Sequence, residues 1–278
     1  MSDKTPVILV GMPGDMATRI AKRVEASDDF ELAKLASRFA FAGYKHKGKV
    51  IDEQYREEYA LDSDIKLITP DKHEETLDLF EKFNTGKRPI GINFADAEGF
   101  DVNHLFVNHN IPFICGSTGV DLDREVKLEE AVKGSEICSV RDMNMDALLT
   151  IVGSMLKYGA GRFESVLRGY HGFGIEEHQA SKADGVSGTL VKWKGLWEEM
   201  GINFYAANGS RQGDFGHAYH IMRISSPEGD VNVNLETDVR GREPYAIGTV
   251  RYAAPHLVEA MERGEKGKIF SMEDVLAD

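Results

Sequence analysis

Residues 6–17 constrain the fold of this chain more than any other stretch. Pro6-Val7-Ile8-Leu9-Val10 is an apolar run of the length of a buried strand, and Gly11-Met12-Pro13-Gly14-Asp15-Met16-Ala17 follows at once. Residues 18–26 then read as a helix. A strand that opens through a glycine turn into a helix calls for parallel partners and helices on the sheet faces. The same rhythm continues. Strands are expected at 30–36, 65–69, 89–94, 112–115 and 136–140, alternating with helices at 71–84, 97–108 and 121–132. Asp71 is placed to cap the first of these helices. Residues 43–64 are polar without a period and read as a surface excursion. The alternation predicts a doubly wound α/β sheet, in which ligands lie beyond the C-terminal strand ends.

The first turn has the spacing G-x-x-G-x-x-A. Gly11 would make the tight bend, Gly14 would admit a pyrophosphate, and Ala17 would let helix and strand approach. Phosphates would sit on the helix N-terminus, against the backbone of Met12, Pro13, Asp15 and Met16. Beyond the second predicted strand stand Ser37 and Arg38, where an acidic residue would select NAD. A hydroxyl followed by a guanidinium suits a 2′-phosphate, so NADPH is preferred, with NADH possible. Asn93-Phe94-Ala95 and Gly116-Ser117-Thr118-Gly119 end two further strands and are candidates to line the nicotinamide half.

After Val140 the pattern changes. A helix at 144–158 is followed by runs at 165–173, 216–225 and 231–239 that alternate with period near two, with a helix at 188–199 between the first two. We divide the chain into a dinucleotide-binding domain (1–142), an α+β domain with a mixed open sheet (143–241) and C-terminal helices (242–278) that return to the first domain. The stretch 175–189, IEEHQASKADGVSGT, gathers His178, Lys182, Asp184 and a small-residue turn Ser187-Gly188-Thr189 ahead of a helix.

The formal net charge is 33 − 46 = −13, which argues against nucleic-acid and anionic-membrane partners. No apolar run reaches the ~18 residues of a membrane span. The two cysteines, Cys115 and Cys138, read as buried reduced thiols, and no His, Cys or carboxylate spacing marks a metal site. A cytoplasmic location is expected, or the plastid stroma if a transit segment was removed.

From end to end these motifs resemble the 4-hydroxy-tetrahydrodipicolinate reductase (dihydrodipicolinate reductase) family, and most nearly its plant-type variant. The resemblance rests on the glycine turn 11–17, on Asn93-Phe94-Ala95, on Gly116-Ser117-Thr118-Gly119, and above all on Glu177-His178-Gln179-Ala180-Ser181-Lys182-Ala183-Asp184 with Ser187-Gly188-Thr189. Gly216-His217-Ala218 and Tyr245 to Arg251 also fit. Three departures stand out: Asp15 where the family usually has Arg, Gly185-Val186 where it has Ala-Pro, and an unusual Asp142-Met143-Asn144-Met145.

The resemblance implies a Rossmann-like first domain and an NAD(P)H-dependent reduction of a cyclic imine-type dicarboxylate in lysine and diaminopimelate synthesis. A homotetramer built through the second domain's sheet is implied as well. His178 would deliver the proton, a task suited to imidazole near neutrality. Lys182 would supply fixed positive charge. Gln179, Ser187, Gly188, Thr189 and His217 would contact substrate, the small-residue turn holding a carboxylate. A reductase of the same fold acting on another imine or keto acid, and a non-catalytic NADPH-binding regulatory protein, remain as alternatives.

Overall fold

A computed structural model describes residues 3–43, 65–179, 186–213 and 218–277. The expected surface excursion at 43–64 therefore lies outside the described residues, Gly43 excepted. The chain separates into two compact units, one comprising 1–146 with 245–278 and the other 147–244.

Among the described residues, the first unit is built on an eight-stranded sheet in which every strand pairing is parallel. Its first elements are β1 (Thr5–Met12), α1 (Asp15–Glu25), β2 (Phe30–Leu32), β3 (Phe39–Ala42), β4 (Lys66–Ile68) and α2 (His73–Phe83). Then follow β5 (Ile90–Asn93), α3 (Val102–Asn108), β6 (Phe113–Cys115), α4 (Leu122–Lys133) and β7 (Ser139–Arg141). β1 is buried along its whole length, as a strand with helices on both faces must be. One side of the sheet packs Val7, Leu9 and Ile92 against Ile20 and Val24 of α1, and the other packs Ile8, Val10 and Phe113 against Phe100 and Phe106. Strand order runs β12 (Ile269–Phe270)-β7-β6-β5-β1-β3-β4, so the order of winding reverses between β1 and β5, and a ligand crevice is expected there.

The second unit begins with α5 (Ala147–Arg162) and continues through β8 (His171–Gln179), α6 (Gly188–Glu199), β9 (Asn203–Gly213), β10 (Ala218–Ser225) and β11 (Asn232–Val239). Its sheet has the order β11-β10-β8-β9, with β8 and β9 parallel and the other pairs antiparallel. Residues 171–178 of β8 alternate strictly: Gly172, Gly174, Glu176 and His178 are buried, and Phe173 and Ile175 are exposed. The glycines let neighbours close in. A Cβ on Gly174 would fall 2.8 Å from Leu190 of α6, and one on Gly172 would fall 2.6 Å from the Phe204 ring. The chain then re-enters the first unit with α7 (Glu243–Gly248), a π-helical turn Thr249–Ala253, α8 (Ala254–Glu262), β12 (Ile269–Phe270) and α9 (Met272–Ala277).

Several elements differ from expectation. The predicted strand 30–36 is two pieces: β2 ends at Leu32, and β3, which sequence reasoning missed, resumes at Phe39. Both pair with β1, β2 along Thr5–Val7 and β3 at Val10 and Met12. Asp71 sits inside a 3-10 turn, Pro70–Lys72, and the N-cap position of α2 is Lys72. The run 165–173 is mostly turn, and its strand starts only at His171. β9 escaped prediction because its later half, Asn-Gly-Ser-Arg-Gln-Gly, carries turn-forming residues. Ile269–Phe270, expected in a helix, is an edge strand on β7.

Candidate active site

In the first unit the turns after β1, β5 and β6 meet. Gly11 has φ +105°, and a Cβ there would lie 2.9 Å from the backbone nitrogen of Ala95. Only glycine allows both that conformation and that approach. The Gly14 N–H donates to the Gly11 carbonyl at 2.8 Å, closing the turn, and α1 starts at Asp15. The Met12–Pro13 peptide bond within this turn is cis. The first-turn N–H groups of Asp15, Met16 and Ala17 have no acceptor inside the helix and form an anion-binding end. Asp15 is an acid in that place, but Arg19 grips it at 3.0 Å to both carboxylate oxygens.

Asn93 was expected to touch cofactor. Its side chain instead is fully buried and braces the turn, accepting from Ala95 N–H at 2.9 Å and donating to the Gly99 carbonyl and to Asn103. It therefore sets the course of Phe94–Ala95 from inside. Phe94 lies over Gly116 so closely that a Cβ on Gly116 would sit 2.2 Å from the ring. Ser117 follows, 2 % exposed, with a buried hydroxyl that has no hydrogen-bond partner among the described residues, while Thr118 is exposed. The anion-binding helix end, the obligatory glycine and this unsatisfied hydroxyl fit a dinucleotide laid across the strand ends.

The placing of Ser37 and Arg38 is corrected. Because β2 and β3 act as one interrupted strand beside β1, its C-terminal end is Ala42–Gly43, not residue 36. Arg38 precedes Phe39, and its guanidinium pairs at 2.8 Å with Glu25, in the last turn of α1. At ~1.5 Å per residue that is about 15 Å along the helix from the anion-binding end. Arg38 is thus at the wrong end of the sheet for a 2′-phosphate.

In the second unit, register assembles a buried polar cluster. Glu176 of β8 faces His220 of β10, which faces Thr237 of β11, and His178 lies two residues along on the same face. Glu176 is 0 %, His220 2 % and His178 8 % exposed. Glu176 Oε1 accepts from the Ser187 N–H at 2.8 Å. Its Oε2 lies 3.5 Å from His178 Nε2 and 3.7 Å from His220 Nε2. His220 Nδ1 is 3.1 Å from Thr237 Oγ1, and its Nε2 is 3.3 Å from Ser187 Oγ. The two imidazole rings meet edge to face at 5.2 Å. Burial pushes the Glu176 carboxyl up, but the neighbouring His178 and the hydroxyl and N–H of Ser187 outweigh it and hold the pKa at about 2. Glu176 is a carboxylate at every physiological pH.

Ser187 is the N-cap of α6, its hydroxyl accepting from Leu190 N–H at 3.2 Å. Expected to hold substrate, it is 3 % exposed with its N–H and its hydroxyl both engaged inward. Its role is to tie α6 to Glu176. Gly188 and Thr189 occupy the first helical turn, where N–H groups lack internal acceptors.

The family model described as dihydrodipicolinate reductase, N-terminus, matches residues 5–145. The chain belongs to the dihydrodipicolinate reductase family. Among its relatives is the probable 4-hydroxy-tetrahydrodipicolinate reductase 2, chloroplastic, of Oryza sativa subsp. japonica. It is 24 % identical over 233 residues, covering 78 % of this chain and 69 % of the relative. The Arabidopsis thaliana protein 4-hydroxy-tetrahydrodipicolinate reductase 1, chloroplastic, is 28 % identical over 232 residues, 77 % of this chain and 65 % of the relative. The match thus spans about two thirds of the relatives' length. A dipicolinate-bound dihydrodipicolinate reductase from Paenisporosarcina sp. TG-14 has the same fold, with a TM-score of 0.65 at 13 % identity, covering 97 % of this chain and 98 % of that one. A myo-inositol-1-phosphate synthase-related protein from Thermotoga maritima also shares it, with a TM-score of 0.57 at 12 % identity over 95 % and 90 % of the two chains. The fold alone therefore does not choose the reaction.

Of the family-type site residues, Lys182 and His217 lie outside the described residues, as does Asp184; Gln179 ends β8. Sequence reasoning missed Glu176 and the pairing of His220 with it. The signal for Glu176 was present: two residues before His178 on a strand is the same face. Nothing in the linear spacing could place His220 there. No described helix is long and apolar enough to cross a membrane.

Proposed function

We propose that this protein catalyses the NAD(P)H-dependent reduction of 4-hydroxy-tetrahydrodipicolinate to tetrahydrodipicolinate, the lysine and diaminopimelate route's imine-dicarboxylate step, with His178 as the proton donor. Membership of the family supports the reaction. The observation that carries the role of His178 is its seat against a permanently ionised, fully buried Glu176. A carboxylate 3.5 Å behind the imidazole fixes the ring and stands as a counter-charge to the imidazolium that donates. With Nε2 turned to Glu176, the opposite ring nitrogen, Nδ1, is the one that delivers the proton.

NADPH, when bound, supplies the hydride from its nicotinamide. The chain's own part in the first unit is to hold the phosphates at the N-terminus of α1 and to line the nicotinamide half with Phe94, Ser117 and Thr118. NADPH is the preferred reductant over NADH. In the second unit Lys182 meets a substrate carboxylate, with the N–H groups of Gly188 and Thr189 as a second anchor and Gln179 and His217 completing the contacts. The outer face of the second sheet, where Phe173 and Ile175 are exposed, is the homotetramer contact, to be checked by light scattering.

The test is NADPH oxidation by the purified protein with freshly generated 4-hydroxy-tetrahydrodipicolinate. Turnover is expected, with kcat in His178→Gln reduced at least ~100-fold. Absence of turnover while NADPH still binds overturns the reaction; full turnover by His178→Gln overturns the proton donor.

A further inference from the structure

We propose that Glu176, His178 and His220 form a binding site for one divalent transition ion of the zinc class. The three side chains come from two paired strands and all face the same point, with one ligand atom from each within 4.8 Å of the others. The distances carry the argument. His178 Nε2 and His220 Nε2 stand 3.5 and 3.7 Å from the same carboxylate oxygen. Those separations are long for N–H···O bonds, whose mode is about 2.9–3.0 Å. They are close to the edges of a tetrahedron of ligands: bonds of about 2.0–2.2 Å give ligand–ligand edges of roughly 3.3–3.6 Å. Two imidazoles and one carboxylate are also the donor set that such ions take, leaving a fourth position for solvent or a ligand.

The surroundings are arranged as outer partners of metal ligands are. His220 Nδ1 meets the Thr237 hydroxyl at 3.1 Å, and donating its N–H there makes Nε2 the lone-pair nitrogen. The other oxygen of Glu176 is held by the Ser187 N–H, so Oε2 is directed by the cap of α6.

Occupancy has a consequence that rests on the reading of His178 as proton donor. A metal-bound imidazole cannot be an imidazolium, and its remaining N–H is a much weaker acid. Zinc and the catalytic proton are then alternatives at one ring, and the metal-loaded protein is an inactive form.

The experiment titrates the untagged, chelator-stripped chain with Co2+ and then Zn2+. One equivalent of Co2+ should give the visible absorption of a tetrahedral ion, bleached by one equivalent of Zn2+. His220→Asn should lose at least ~10-fold in affinity, and Thr237→Val, which keeps all three ligands, about 10-fold. Circular dichroism of both variants reports folding independently. No absorbing species, or an unchanged affinity in a folded His220→Asn, overturns the site. In the turnover assay, one equivalent of Zn2+ should suppress NADPH oxidation at least ~10-fold and chelator should restore it; binding without suppression overturns the inactive form. A chain that binds Co2+ as described yet has no turnover in chelator refutes the reductase reading and leaves the metal site standing.

Discussion

Replacing Glu176 by Gln tests the central cluster in a single atom. The amide keeps the shape and still accepts from the Ser187 N–H, but it removes the charge. Burial works against that charge, and His178 and Ser187 more than compensate, lowering the carboxyl from 4.5 to about 2. At ~1.36 kcal/mol per pKa unit, a shift of about 2.5 units corresponds to roughly 3 kcal/mol of stability carried by the ionised form. Because the folded value is depressed, that stability is fully present above pH 4.5 and is lost as pH falls toward 2. Unfolding of the second unit by urea should therefore show Glu176→Gln less stable by about 3 kcal/mol at pH 7, with the gap shrinking below pH 4.5. Activity should fall too. Unit charges 3.5 Å apart interact by about 5 kcal/mol at an effective dielectric of ~20. If a third of that acts on the protonated donor, kcat drops about tenfold at neutral pH. NADPH affinity, which the proposed function assigns to the first unit, should not move. A stability gap equal at pH 7 and pH 3, or an unchanged kcat, would refute the account of Glu176 as the counter-charge of His178.

Four further outcomes follow from the same geometry. Gly116→Ala places a Cβ 2.2 Å from the Phe94 ring and should destabilise the first unit by about 1–3 kcal/mol while raising the NADPH Kd, measurable by thermal melting and calorimetry. Gly11→Ala meets backbone rather than a side chain, at a φ of +105°, so its loss of NADPH binding should be the larger of the two in the same titration. Arg38→Ala should break the Glu25 pair yet leave the NADPH-to-NADH ratio of kcat/KM unchanged. His73 is buried against Phe41 with its pKa pushed down to about 4 by burial, so stability should be complete above pH 6.5 and fall by roughly 3 kcal/mol as pH drops toward 4; His73→Phe should flatten that slope in pH-dependent unfolding.

The first unit was legible because its code is local. An apolar run of strand length, a glycine turn and an amphipathic helix repeat along 6–140, and each unit of the code needs only its neighbours to be recognised. The failures there have equally local causes. Ala33 to Arg38 interrupts a strand with a bridge between Lys34 and Arg38, and no periodicity spans such a break. The error then propagated into chemistry. Moving the end of the strand by six residues, from 36 to 42, moved the cofactor-discriminating position off Arg38 altogether. In the second unit β9 was hidden by Asn, Gly and Ser, residues that favour turns in isolation but here are carried by pairing with β8 along its length.

The site in the second unit was legible only as far as one strand reaches. His178 announced itself by its neighbours in sequence, and the same face of β8 holds Glu176 and the two glycines. A glycine pair on the buried face of a strand means that something packs against the backbone itself, and Leu190 of α6 does so at Gly174. That close approach brings the helix cap down onto the sheet. Ser187 can then hand its N–H to a carboxylate that water cannot reach. His178 and then Ser187 keep Glu176 ionised, and Ser187 is in reach because α6 lies close over residue 174, which has no side chain. Enlarging Gly174 should therefore act on chemistry through distance: Gly174→Ala, with a Cβ 2.8 Å from Leu190, should lift α6, weaken the Ser187 bond and lower kcat without touching NADPH affinity. Gly174→Ala paired with Leu190→Ala, which reopens the space, should recover part of that loss. Recovery in the double variant ties the proton donor to the packing of the helix; an equal loss in both would mean that Gly174 acts through the strand backbone alone.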